Sequence, residues 1–364
     1  MNYRSYLVFI FLYTSGILVL HAEAYKEVRN VTKSIKINSG SKVNISNKYG
    51  SVNINTWEKD SVRFEIILTI SGANESKVKK LGNNIDFRFS ENETSYFVET
   101  RFGKDFKTFW NDLKNKSGIS NPGTRNVEIN YTIYTPDYIG LSIDNKYGEV
   151  YLDDFKGELN LNISNGALKA GSLFAKSDLN LIFSDAVINE FTSGKISLSY
   201  TDLTIDKCQH IKLNSRSSTI HIEEIDRLNL NSRRDKVFVS QLSSIKGESY
   251  FSNIFLKTLE KEIDFNLKYG MLKINRINRE LEKLILDLKF TDVDLYVSKQ
   301  FTGNMDISIE KTVFKFPAEY NDLDITVTDD DHKSYNISGT IGSKPPKTSL
   351  NIKALKGTLN ILHE

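Results

Sequence analysis

Apolar residues recur along this chain at two spacings: every second residue within short runs, and again about eighteen residues later at the same place in the next run. The stretch from Val43 to Ile54 matches the stretch from Leu141 to Leu152 in residue type at nearly every position, and each holds Asn-Lys-Tyr-Gly at its centre. With Tyr147 as the zero of a template, the pattern returns around Asn165, Phe183, Tyr200, Ser217, Arg234, Phe251, Tyr269, Phe290 and Lys311. The intervals are 18, 18, 17, 17, 17, 17, 18, 21 and 21 residues. An early copy centres on Tyr49 and a last one on Lys356. Three places after the zero stand Val52, Val150, Leu168, Ala186, Leu203, Ile220 and their equivalents, and two places further stand Ile54, Leu152, Ala170, Ile188, Ile205 and Ile222. Neither column turns polar in any copy.

Period-two alternation rich in β-branched residues predicts strands with one buried face. A fixed repeat length predicts a solenoid, because each coil must stack on the last at one strand spacing, whereas the hairpins of a meander are free to differ in length. The chain therefore reads as all-β: a parallel β-helix, or β-solenoid, of 17- to 21-residue coils over 139–317. Ten coils at about 4.8 Å each make a rod roughly 45 to 50 Å long. The glycine of the Asn-Lys-Tyr-Gly corners is expected to supply the positive φ of a sharp turn.

Residues 25–138 break the period and read as a first coil plus a β-rich cap, which covers strand edges that would otherwise pair with another chain. Within it, strands are expected over Val62–Ile70, Ile85–Phe89, Ser95–Phe102 and Asn126–Thr135. A short helix is expected over Glu75–Leu81, and a second in the polar loop over Phe106–Leu113. From 318 to 364 an irregular insert is followed by a C-terminal closing coil around Lys356.

Composition narrows the function classes. Forty-eight Lys and Arg against 46 Asp and Glu leave a net charge of +2, so the chain as a whole lacks the cationic excess that nucleic-acid binding by counterion release demands. Apolar residues at 39% supply enough core to order most of the length. At the start, Arg4 precedes an uncharged run from Tyr6 to Leu20 that ends in Ala22-Glu23-Ala24. This reads as an export signal over 1–24, cleaved before Tyr25, because the run is too short to span a bilayer. No second run of spanning length follows, so no transmembrane segment is expected after cleavage. Cys208 is the sole cysteine, which rules out an internal disulfide.

Several residue groups were candidates for chemistry. Asp329-Asp330-Asp331-His332 offers hard oxygens for a cation but lacks the alternating spacing and glycine of a calcium loop. Asp153 with Asp154, and Asp292 with Asp294, resemble the two carboxylates of a glycosidase. His210, His221, His332 and His363 have no second ligand at zinc spacing. Cys208 falls in an apolar column. No catalytic, metal or cofactor site is assigned. One outward column remains, three places before the zero, and its Asn162, Asn180, Asn214, Asn231 and Asn266 form a row of donors and acceptors suited to a glycan or a protein.

The Asn-Lys-Tyr-Gly copies at Asn47 and Asn145, the segment Thr56-Trp57-Glu58-Lys59-Asp60 with the strand after it, and Ile129–Pro136 leading into the second copy together resemble the DUF4097-type adhesins exported by Bacteroidetes. The resemblance spans most of the chain after residue 24. It implies a β-solenoid envelope protein, called an adhesin largely by analogy, and brings no catalytic residues. The expected function is thus a non-enzymatic protein of the periplasm or cell surface that binds an envelope protein or glycan through a solenoid face. A carbohydrate-active β-helix enzyme and an envelope-stress or assembly accessory are the alternatives.

Overall fold

The structure is a computed structural model that describes residues 25–104, 106, 127–317, 323–342 and 346–364. The expected export signal and, Phe106 apart, the helix expected over Phe106–Leu113 lie outside the described residues. Strands β1 (Tyr25–Lys36), β2 (Lys42–Lys48), β3 (Val52–Thr56) and β4 (Ser61–Gly72) precede helix α1 (Glu75–Asn83). Next come β5 (Ile85–Glu91), β6 (Ser95–Phe102), β7 (Val127–Thr135), β8 (Gly140–Lys146), β9 (Glu149–Leu152) and β10 (Leu159–Ser164). Five strands then run from one corner to the next: β11 (Ala167–Ile182), β12 (Asp185–Ser199), β13 (Asp202–Arg216), β14 (Thr219–Arg233) and β15 (Lys236–Tyr250). The remainder are β16 (Asn253–Ile277), β17 (Lys283–Val297), β18 (Gly303–Lys315), β19 (Leu323–Asp329), β20 (Ser334–Ile341) and β21 (Thr348–His363).

The chain is an all-β solenoid. Strands β11 to β17 pair in parallel, each with the next. Each layer has a leading arm before its corner and a trailing arm after it. Val150, Leu168, Ala186 and Leu203 stand in register on successive layers and are all at most 2% exposed, forming one dry column. The column eight places after the corner runs from Phe191 through Cys208 to Ile225, also buried. Same-position side chains fill the interior because each layer presents the same pleat to its neighbour.

The corners correct the expectation about glycine. Positive φ falls on the zero residue itself: Tyr49, Tyr147, Asn165, Phe183, Tyr200, Ser217, Arg234, Phe251, Tyr269, Phe290, Lys311 and Lys356 all have φ between 49° and 67°. The following glycine serves a different need. A Cβ on Gly148 would lie 1.8 Å from the Gly50 carbonyl oxygen, because the backbones of adjacent layers close on each other there. Where that position is not glycine it is small and polar, buried at Ser184, Thr201, Ser218, Asp235, Ser252 and Thr291 and half-buried at Thr312. Asp235 accepts from the Ser218 amide (2.8 Å) and the Arg233 amide (2.9 Å), and from the hydroxyls of Ser215 (2.5 Å) and Ser232 (2.7 Å). Asn47 and Asn145 act similarly from two places before the corner, both donating to the Gly50 carbonyl oxygen. Lys48 lies over the stacked rings of Tyr49 and Tyr147. In the first copy every residue of the Asn-Lys-Tyr-Gly motif thus has a structural task.

The cap continues both faces of the rod. On the leading face β6 pairs with β2 in parallel and β5 follows antiparallel; on the trailing face β7 pairs with β3, then β4 and β1 follow antiparallel. Helix α1 starts at Asn74, whose side chain accepts from the Lys77 amide, and it buries Val78 and Leu81 against β1, β4 and β5. The other end departs from expectation twice. The insert holds a hairpin, β19 and β20, laid antiparallel on the leading arm of β18. The last strand, β21, does not lie at the end of the stack; it pairs in parallel with β17 on one side and β18 on the other. Strands β17 and β18 do not pair with each other; a slot one layer wide separates them, and the C-terminal strand fills it.

Candidate functional site

Alternation places the residues one, three and five positions before each corner on the outer face of the leading arms. The predicted asparagines sit there in a continuous register: Asp144, Asn162, Asn180, Ser197, Asn214, Asn231, Glu248, Asn266, Asp287 and then Lys353. Asn180, Asn231 and Asn266 are exposed, while Asn162 and Asn214 are half-buried. Asn231 Nδ2 donates to Glu248 Oε1 at 3.5 Å, at the limit of a hydrogen bond, so this pair retains most of its capacity for a partner. The structure brings the five asparagines together in one row.

Three hollows mark the same face. The largest, about 480 Å³, is lined by residues of β12 to β16. A second, of about 280 Å³, lies beside Asn44, Ser142 and Asn160, and a third, of about 350 Å³, beside Asp287, Lys353 and Tyr335. The outer face of the trailing arms carries a different feature that sequence reading missed, a stack of His221 on Phe238 (4.7 Å) and Phe238 on Phe255 (5.1 Å). Its signal was available, since all three stand four places after their corners.

The other candidates have structural employment. Asp153 accepts from the Thr56 amide on one neighbouring layer and Asp154 from the Ser172 amide on the other. Asp292 binds Thr358 through its amide and hydroxyl, and Asp294 binds Asn360. These carboxylates staple layers together. Asp329 accepts from the amide and ring of His332 in the hairpin turn, and these hydrogen bonds hold its carboxyl below the usual range. Cys208 is buried, and desolvation pushes its thiol up, so it stays protonated near neutrality. Among the described residues no three His, Cys, Asp or Glu side chains converge on one point, and no helix is long and apolar enough to cross a membrane.

No family model and no curated protein matches the chain. Solved structures do. It is similar to a putative cell adhesion protein from Clostridium sporogenes, at 12% identity over 93% of this chain and 100% of that one, with a TM-score of 0.20. It is also similar to putative adhesins from Parabacteroides distasonis (12% identity, 74% and 93% covered, TM-score 0.36) and from Bacteroides fragilis (10%, 92% and 97%, 0.28). TM-scores of this size do not superpose one rod on another, and the solenoid assignment rests on the strand register.

Proposed function

We propose that this chain is an exported, non-catalytic surface or periplasmic protein of the DUF4097 adhesin type, which binds protein or glycan through the outer face of its leading arms. The observation that carries the reading is the coincidence on one face of an in-register row of amides and three hollows, with the interior and the small polar column one place after the corners committed to packing. Export is supported by the Arg4, Tyr6–Leu20 and Ala22-Glu23-Ala24 sequence. The absence of an enzymatic role is supported by the carboxylate pairs, whose oxygens accept bonds from adjacent layers. The adhesin reading rests on the sequence resemblance. A glycan array and an envelope-extract pull-down, run with wild type and with the Asn180→Ala, Asn214→Ala double variant, test it. Retention by wild type that drops at least fivefold in the variant is expected. Equal retention by both proteins removes this face as the site.

A further inference from the structure

The largest hollow occupies a defined stretch of the repeat. The four coils between Phe183 and Phe251 each have 17 residues, while those on either side have 18. The missing residue is lost at the bend between trailing and leading arms. After the pair Leu173 and Phe191 the register resumes at Lys176 and Ser193, so Phe174 and Ala175 face Thr192 alone. At the far end the pair Leu242 and Leu259 is followed by Ser244 and Glu262, so Ser243 alone faces Glu260 and Lys261. The trough of about 480 Å³ lies along the shortened coils, lined among others by Gly194, His210, Lys212, Arg227, Asn229 and Lys246.

Charge gathers here although the whole chain is near neutral. On the outer leading face from Ser193 to Tyr250 stand Lys195, Lys212, Arg216, Arg227, Arg233 and Lys246, against the single carboxylate of Glu248. Asp226, at the bend, lies 3.6 Å from Arg227, and Glu262 and Asp264 close one end of the trough. Among the described residues no carboxylate lies within ion-pair distance of Lys195, Lys212 or Lys246. His210 Nε2 finds no hydrogen-bond partner, with Asp226 Oδ2 4.0 Å away, so one polar valence of the wall is unspent. Lys195, Lys212, Asn229 and Lys246 share one column, at steps of about 4.8 Å.

From this geometry we infer that the trough binds a linear acidic glycan, one bearing carboxylate or sulfate groups, laid along the rod axis with its sugars advancing about one layer at a time. The inference rests on the proposed binding face and deepens it by assigning the ligand class. Lysines answer the anionic groups as exposed point charges. Asn229 and Ser244 of the lining present an amide and a hydroxyl to sugar hydroxyls, with Asn214 and Asn231 two places along the same outer face, and the lining contains no Phe, Tyr or Trp ring on which a nucleic-acid base would stack.

Fluorescence anisotropy with labelled oligogalacturonate, its methyl-esterified neutral counterpart and polyglutamate of matched length tests the assignment on the purified full chain. Wild type should bind oligogalacturonate at least tenfold more tightly than either of the other probes, and more weakly as salt rises. The Lys212→Gln, Lys246→Gln double variant should lose at least tenfold; both side chains are exposed, and circular dichroism verifies its fold. Equal binding of polyglutamate overturns the glycan class. Equal binding of the esterified probe, lost in the Asn180→Ala, Asn214→Ala variant but kept in the lysine variant, overturns the acidic class while leaving the binding face standing. No binding of oligogalacturonate also overturns it, and the array and pull-down then judge the face alone.

Discussion

A non-glycine residue in the left-handed region costs about 1–2 kcal/mol, yet this chain places such a residue at every corner. Stacking offsets part of that cost. Phe183 lies on Tyr200 at 4.9 Å, and Phe251, Tyr269 and Phe290 form a continuous stack at 4.8 and 4.9 Å, each pair contributing about 0.5–1.5 kcal/mol. Arg234 stands at the same corner position with φ of 60°, between Ser217 and Phe251, and is not itself a ring that can join such a stack. Asn tolerates that conformation better, so Arg234→Asn should raise the unfolding free energy by about 0.5–1 kcal/mol in a urea titration. One place later the physics reverses. Asp235 satisfies two amides and two hydroxyls from within the core, and Asp235→Ala would leave the Ser218 amide and the Ser215 hydroxyl buried without this acceptor, while the Ser232 hydroxyl keeps its bond to Ser252. That variant should lose about 3–5 kcal/mol by the same titration.

Individual strands matter here chiefly through which edges they occupy. A terminal coil of a solenoid can usually be removed at the cost of one interface, since each repeat touches only its neighbours. Strand β21 differs because it makes two interfaces, from Lys283 to Val297 on β17 and from Gly303 to Lys315 on β18. Deleting residues 347–364 should therefore expose two long parallel edges facing an empty layer. The expected outcome is aggregation on size-exclusion chromatography, with loss of a single cooperative thermal transition. A monomeric truncated protein with only a modestly lower Tm would contradict this account. The hairpin of β19 and β20 is bound more lightly, and Ile325 and Val327 on β19 remain more than half exposed.

Stability of the whole rod comes from repetition without covalent help, since Cys208 is the lone thiol and is buried. Amide exchange should follow this layering. Protection is expected to be highest in β13 to β15, which have a paired layer on both sides, and lowest in β19, an edge strand whose residues are almost all exposed; exchange measured by mass spectrometry checks the order. Much of this organisation was legible beforehand. The twelve corner residues named from spacing alone all have positive φ, and the apolar columns are dry up to the half-buried Phe314 and Phe316 at the end of β18 and just past it, because a corner and a pleat are set by residues within one coil and repeat in the next. The row from Asn162 to Asn266 was legible for the same reason: period two sends it outward. The small polar column of Ser184, Thr201, Ser218 and Asp235 was equally local and went unread, as did the hairpin in the insert. The slot taken by β21 was not in the spacing at all. Its apolar columns resemble those of every other coil, so its neighbours depend on which edges the folded rod leaves free. The trough was also beyond the sequence, although the 17-residue intervals were visible, because a recess exists only once short coils are stacked between longer ones. Sequence by itself determined what each layer looks like, since that depends on contacts close along the chain; tertiary structure alone decided which layers meet, since parallel pairing joins segments at any distance.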